Sequence, residues 1–272
     1  VKVVKEWASM AEFVDYVSGP SEMPDDTRAS LRSGSGSTGT DTFEEATAIA
    51  FNWPEGVAQV EEMKARIALA SQRTRTKVVA REAGPGVLSM GKFIAGHPQP
   101  YMSLVPDSRV RRGKGKVVRI AINSAVGGYV STDVIMKRGA AVLALSQALE
   151  QTGHRVEIMV GDSTSGQRNS VYHFRVTVKR AEQKLNLNSV AFAVAHPAMQ
   201  RRFFFSAEER GDAKFRETFR VGQSYGNPAP MVVPEGTILV PEAKSTSREW
   251  QSVEAASEWL TRTLEAQGVK VK

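Results

Sequence analysis

The spacing of apolar residues divides the chain into elements. Residues 117–122 form a short apolar run rich in β-branched side chains, long enough for a buried strand and too short for a buried helix. Val134, Ile135, Val142, Leu145 and Leu149 then recur at helical spacing, and Gly153 supplies a stop before a second run at 155–160. Strand, helix, strand is a βαβ unit, and its right-handed crossover predicts a parallel sheet covered by helices. Beyond a turn-rich loop at 161–169, the alternation of Tyr172, Phe174, Val176 and Val178 predicts a strand paired as a hairpin with 155–160. Short runs at 190–195 and 237–240 predict two more strands, with a helix over 198–210 between them. Trp250, Val253, Ala256, Trp259, Leu260 and Leu264 make the apolar stripe of a C-terminal helix that starts at Ser247 or Ser252 and ends at Gly268.

The first quarter of the chain has helical rather than strand periodicity. Ser9 with Glu12 and Thr42 with Glu45 have the spacing of capping boxes, and Pro54 opens a third helix carrying Val57, Val60, Met63 and Ile67. Residues 21–41 are polar and rich in Gly and Ser, which predicts a flexible loop. Gly34, Gly36 and Gly39 spell GxGxxG there, but no apolar strand precedes them, so a dinucleotide site is not expected. From 77 to 115 the apolar pieces are broken by Gly and Pro, predicting an irregular or β-rich connection. Its nearest approach to a phosphate loop, from Gly86 to Phe93, has Phe93 where a Ser or Thr would hold magnesium.

Composition narrows the chemistry. With 272 residues the chain can bury a sizeable core without staples, and with no Cys it has no disulfides, thiol nucleophile or thiolate zinc site. No stretch approaches the roughly 18 consecutive apolar residues of a membrane helix, and no secretion signal is recognisable, so cytoplasm is the expected compartment. A formal charge of +7 favours polyanionic partners. The cations concentrate in Arg109, Arg111, Arg112, Lys114 and Lys116, in Lys179, Arg180 and Lys184, and in Arg201 and Arg202 beside Phe203, Phe204 and Phe205. Cations reach phosphates, and aromatics beside them can stack on bases, a pairing suited to single strands. Catalytic signals are absent: His97, His154, His173 and His196 lack metal-ligand spacing, and Ser124 and Ser163 lie outside GxSxG.

From 116 to about 264, the succession of strand, long helix, strand, paired strand, then further strand and helix units, together with the stretch 139–160, resembles the von Willebrand factor A architecture. In that family an Asp-x-Ser-x-Ser motif after the first strand holds a divalent ion. Here the place reads Asn123-Ser124-Ala125-Val126-Gly127, so the resemblance implies the fold without its metal ligands and leaves only Thr132, Asp133 and Asp162 as oxygen donors nearby. The whole chain is also similar to proteins of tailed bacteriophages and prophages, through residues 191–202 and the helix that begins near Arg138. That similarity implies a nucleic-acid-binding role in phage transcription or replication.

The expectation is an α/β fold, a three-layer and mostly parallel sheet flanked by helices, with an N-terminal helical extension. The expected divisions are 1–76 for the extension, 77–115 for the connection and 116–272 for the core. The expected function is non-enzymatic binding of nucleic acid, single-stranded DNA before other forms, without cofactor, metal or membrane. The alternative is a protein-interaction module that assembles with phage or host proteins or as a homo-oligomer.

Overall fold

A computed structural model describes residues 2–66, 76–81, 87–106, 115–244 and 246–269. Strand β1 (Lys2–Trp7) leads into helix α1 (Met10–Ser18), two single-turn helices, α2 (Ala29–Arg32) and α3 (Ser35–Thr38), then α4 (Phe43–Ile49) and α5 (Pro54–Arg66). An antiparallel arm follows, made of β2 (Thr76–Arg81), β3 (Val87–Leu88), α6 (Met90–Ile94) and β4 (Tyr101–Pro106) in the order β2-β4-β3. The body contains β5 (Val117–Asn123), α7 (Thr132–Gln151), β6 (Arg155–Ser165), β7 (Val171–Lys179) and α8 (Leu187–Ala195). A π-helical turn (Met199–Phe204) runs into α9 (Phe205–Glu209), and α10 (Ala213–Phe219), β8 (Asn227–Pro228), β9 (Ile238–Val240) and α11 (Val253–Ala266) complete it.

The main sheet has the order β1-β7-β6-β5-β9, with β8 paired to β6. β5 runs parallel to β6 and β9, β1 runs parallel to β7, and β6 and β7 form the antiparallel hairpin. The βαβ unit at 117–165, the hairpin and the C-terminal helix are where the apolar spacing predicts them. Both capping boxes form as well: Ser9 Oγ accepts from Glu12 N at 3.2 Å and Thr42 Oγ1 accepts from Glu45 N at 3.0 Å. Each glutamate reaches back to the residue before the cap, Glu12 to Ala8 N at 2.8 Å and Glu45 to Asp41 N at 2.6 Å.

Register puts Val118, Ile120, Ile122, Val156, Ile158, Val160, Tyr172, Phe174 and Val176 on one face, and all of them are buried. α7 lies over that face. Its buried residues run round the whole helix, from Ile135 to Leu149, because α5, α8 and α11 pack on its remaining sides. Gly139 allows the α8 crossing, since a Cβ there would sit 2.4 Å from Ala195 Cβ. The opposite face differs from the expected third layer. It carries the Arg119–Glu157 pair at 3.2 Å and the exposed side chains of Val4 and Leu239. Among the described residues it is crossed by the 227–234 segment, where Ala229 N donates to Ser163 O at 2.8 Å and Asn123 Nδ2 donates to Ala229 O at 2.8 Å. A half-polar face can meet solvent or an irregular segment in place of a helix.

Three further expectations are corrected. Residues 190–195 are not a strand but part of α8: an unbroken apolar run suits a helix buried on all sides as well as a buried strand. β6 continues to Ser165, through most of the expected loop, because its polar residues find partners across the hairpin. Residues 21–41 are not a free loop. Arg28, Ser30, Thr38 and Thr40 are buried, and the segment's backbone carbonyls are held by Arg202. The Arg202 guanidinium, itself 0 % exposed, donates to Ser30 O at 2.8 Å, Leu31 O at 3.1 Å, Thr40 O at 2.8 Å and Asp41 O at 3.0 Å. Glu209 completes the clamp by accepting from Arg28 Nε at 3.0 Å and Ser30 N at 2.9 Å. No helix of the described residues is long and apolar enough to cross a membrane.

Replacing Arg202 with Met, which keeps bulk but no donor, leaves these carbonyls unsatisfied. The expected loss is about 3 kcal/mol or more, read as a drop on the order of 10 °C in thermal midpoint. Arg202→Lys recovers little of it, because an ammonium cannot span the same acceptors.

Candidate nucleic-acid interface

The basic residues named from sequence fall into three structural classes. The first is buried and structural. Besides Arg202, Arg201 is 6 % exposed and donates to Ser37 O at 2.5 Å, Gly127 O at 3.4 Å and Val130 O at 3.3 Å. Burial lowers the pKa of both guanidiniums, and for Arg202 the nearby Glu44, Glu45 and Asp41 oppose that shift. Phe203 and Phe204 are 0 % exposed and pack on Phe13, Phe43 and Phe192. Phe205 stacks on Tyr225 at 4.1 Å between centroids. Arg201, Arg202, Phe203 and Phe204 therefore form core and the ring of Phe205 is taken by Tyr225, so the expectation of base stacking there is corrected.

Lys179 belongs to the same class. It is 2 % exposed, and its Nζ donates to Val156 O at 2.6 Å and pairs with Glu150 Oε1 at 2.6 Å. Glu150, in the last turn of α7, also accepts from Leu185 N at 3.2 Å through Oε2. One carboxylate thus fixes both the end of β7 and the following turn. Lys179 is a positioning residue for that turn, not a phosphate contact.

The second class is exposed and gathers at one end of the sheet. β7 ends at Lys179, opposite Ile158 of β6, while Val117 at the start of β5 lies beside Arg155 at the start of β6. Lys116, Arg155, Arg180 and Lys184 are all exposed; the first three share this end within roughly 15 Å by strand spacing and rise, and Lys184 lines the same cleft as Arg180. Arg180 and Lys184 stand on a tight turn in which Gln183 N donates to Arg180 O at 3.1 Å and Arg180 N donates to Gln183 Oε1 at 2.9 Å. Arg180 Nη2 reaches across to Ala8 O at 3.1 Å. Between this turn, the β1–α1 corner and the start of α8 lies a cleft of about 380 Å³ lined by Arg180, Gln183, Lys184, Asn186 and Phe51. Phe51 is 43 % exposed and supplies an aromatic surface at the basic wall. Sequence reasoning missed Phe51 and Arg155, because only tertiary packing brings either to this end. The third class, Arg109, Arg111, Arg112 and Lys114, lies outside the described residues; by chain order it runs directly into Lys116.

The other end of the sheet, where the sequence resemblance would place an ion motif, is occupied by the chain's own hydrogen bonds. Asn123 Oδ1 accepts from Ala125 N at 3.2 Å and Ser163 N at 3.1 Å, and Asn123 O accepts from Arg138 Nη1 at 3.0 Å. Ser124 Oγ donates to Gly161 O at 2.8 Å, and Asp133 pairs with Lys137 at 2.6 Å. Burial lowers the Arg138 pKa to about 10, opposed by Glu242. Asp162 is directed to the helix-covered face, where it accepts from Thr164 and Tyr172. Among the described residues no group of three or more His, Asp or Glu is arranged to hold an ion. Ser163 Oγ and His173 Nδ1 lie 2.8 Å apart as cross-strand partners, 0 % and 3 % exposed beside the 227–234 crossing. Burial, then Lys2 and Arg175, lower the His173 pKa. The arm meanwhile exposes Val87, Met90, Phe93 and Ile94.

Comparison with known proteins gives one match: the model of the family described as domain of unknown function DUF7192 fits residues 1–271. No curated protein and no solved structure matches the chain.

Burial separates the two described classes of cation. Lys179→Ala leaves Val156 O without its donor and the half-buried Glu150 without its cation, and is expected to destabilise the fold by about 2 kcal/mol. The double change Arg180→Ala and Lys184→Ala is expected to stay within about 0.5 kcal/mol. Chemical denaturation of the three chains checks both values.

Proposed function

The chain belongs to the DUF7192 family, and on that premise we propose that it binds single-stranded nucleic acid, DNA before RNA, without catalysing a reaction. In this reading it acts as an accessory to phage-type transcription or replication, and its body is a von Willebrand A-like fold that has lost the ion motif. The observation that carries the reading is the union, at one sheet end, of Lys116, Arg155, Arg180 and Lys184 with the cleft beside Phe51. Exposed cations neutralise phosphates and release counterions, and an exposed aromatic next to them offers a stacking surface that a duplex cannot use. The basic run that precedes Lys116 extends the same charge along the chain. The fold reading draws support from the order of β5, α7, β6 and the paired β7, and from Asn123 and Arg138 occupying the strand end that an ion would otherwise take.

A second reading, an assembly module, draws support from the arm. Val87 and Ile94 are 78 % and 79 % exposed, and Met90 and Phe93 lie between them, an apolar surface that the described body does not cover. If assembly is the role, Phe93→Asp with Ile94→Asp changes oligomer size and leaves nucleic-acid affinity untouched.

Fluorescence anisotropy with labelled single- and double-stranded oligonucleotides across a salt series tests the first reading. Replacing Lys116, Arg180 and Lys184 together by Ala is expected to weaken single-strand binding by tenfold or more, and each lost phosphate contact to flatten the log–log salt slope by about 0.7. Phe51→Ala is expected to weaken it by about 1–3 kcal/mol with an unchanged slope. Binding that is absent at low salt, or indifferent to all four changes, overturns the reading.

A further inference from the structure

Three ionisable side chains meet inside the protein, away from the basic end: Asp162 of β6, Tyr172 of β7 and Glu208 of α9, exposed 1 %, 0 % and 1 %. Tyr172 donates its hydroxyl proton to Asp162 Oδ1 at 2.9 Å, and Thr164 Oγ1 donates to the same oxygen at 2.9 Å. A phenol has one proton, so Tyr172 has none to give to Glu208, its neighbour on the other side. Both carboxyl oxygens of Glu208, and Oδ2 of Asp162, are buried without a hydrogen-bond partner. The charged groups around them offer no relief. Glu209, next in α9, is a third carboxylate whose partners are Arg28, Ser30 and Tyr225. α10 contributes Phe215 and Phe219 against the Tyr172 ring. Two ionised carboxylates here would repel one another and leave three acceptors desolvated.

We propose that Asp162 and Glu208 are a proton-holding pair, with Glu208 donating its carboxyl proton to the Tyr172 oxygen, and that this pair locks α9 to the sheet. The chain of bonds then runs from Glu208 through Tyr172 to Asp162, and every step has a donor and an acceptor. Burial pushes the Glu208 carboxyl well above its ordinary range, the Asp162 charge adds to that shift, the Tyr172 contact opposes it and Glu209 adds to it again. Burial raises Asp162 to about 6, with Thr164 and Tyr172 opposing.

The lock has a distant consequence because α9 carries the anchor of the N-terminal segment. Glu209 holds Arg28 and Ser30, Ser206 Oγ accepts from Arg28 Nη2 at 3.2 Å, and Ser21 Oγ donates to Glu209 O at 2.8 Å. Ionising the pair sets like charges between α9 and the hairpin and loosens the segment from 21 to 41. Both folded-state values lie above the unfolded carboxylate values of about 4. The stabilisation is therefore complete below that range and is lost as pH rises through about 6 for Asp162 and higher for Glu208.

Hydrogen exchange of the full chain, corrected for the intrinsic pH dependence of exchange, tests this between about pH 5 and about pH 9. Protection of the 21–41 and 205–209 peptides is expected to fall about tenfold or more in the wild type as pH rises. In Glu208→Gln, whose amide cannot ionise, only the step near pH 6 from Asp162 is expected to remain, and in Asp162→Asn only the step at higher pH from Glu208. Equal pH dependence in all three chains, or none in the wild type, overturns the proposal. Should a variant fail to fold, the wild type decides: a protonated-carboxyl C=O stretch in its infrared spectrum at pH 7 that disappears at high pH supports the pair, and its absence at pH 7 overturns it.

Discussion

A helix without a solvent face must be covered on every side, and α7 is such a helix. Its residues from Ile135 to Leu149 meet the sheet on one side and α5, α8 and α11 on the others. The hydrophobic effect gives no preferred direction, so the directions come from the few places where α7 is not apolar. Gly139 sets the distance to α8. Arg138 ties the helix to the end of β5 through Asn123, and Glu150 ties its other end to β7 through Lys179. Packing holds the α/β body together, and two charged side chains, Arg138 in the second turn and Glu150 in the last, fix the helix's register against the sheet.

The same contrast sorts the cations of this basic chain. Arg138, Lys179, Arg201 and Arg202 are buried and matched to carbonyls or carboxylates, so their work is internal. Lys116, Arg155, Arg180 and Lys184 are exposed, and the antiparallel return of β7 brings them to the end where β5 and β6 begin. The internal set builds the platform for the external set: Glu150 fixes Lys179 and Leu185, and the turn between those two residues presents Arg180 and Lys184.

What the sequence made legible follows from range. The βαβ unit, the hairpin and both capping boxes are local patterns with a fixed period or spacing, and the structure has them at the expected residues. Residues 190–195 are ambiguous in sequence because they carry no alternation, and an all-buried helix and an all-buried strand look alike over six residues. β1 escaped notice because Lys2, Lys5 and Glu6 dilute its apolar residues, and its pairing partner lies far along the chain in β7. The polar segment 21–41 looked mobile because its order comes from Arg202 and Glu209, far along the chain. The candidate site divides the same way. Arg180 and Lys184 were legible as charge, but that Lys179 between them and the strand faces inward depends on a carboxylate of α7. Phe51 becomes relevant only once α1, α4 and the β7 turn are packed together.

The central claim is that one end of the sheet is the nucleic-acid surface. Photocrosslinking a labelled single-stranded oligonucleotide to the full chain, followed by peptide mapping of the adducts, tests it most directly. The account predicts adducts on Phe51 and on peptides spanning 116 and 180–186, competed by unlabelled single strand and lost at high salt. Adducts concentrated on 123–130 or 199–205, at the end closed by Asn123 and Arg201, or no specific adduct at all, would contradict it.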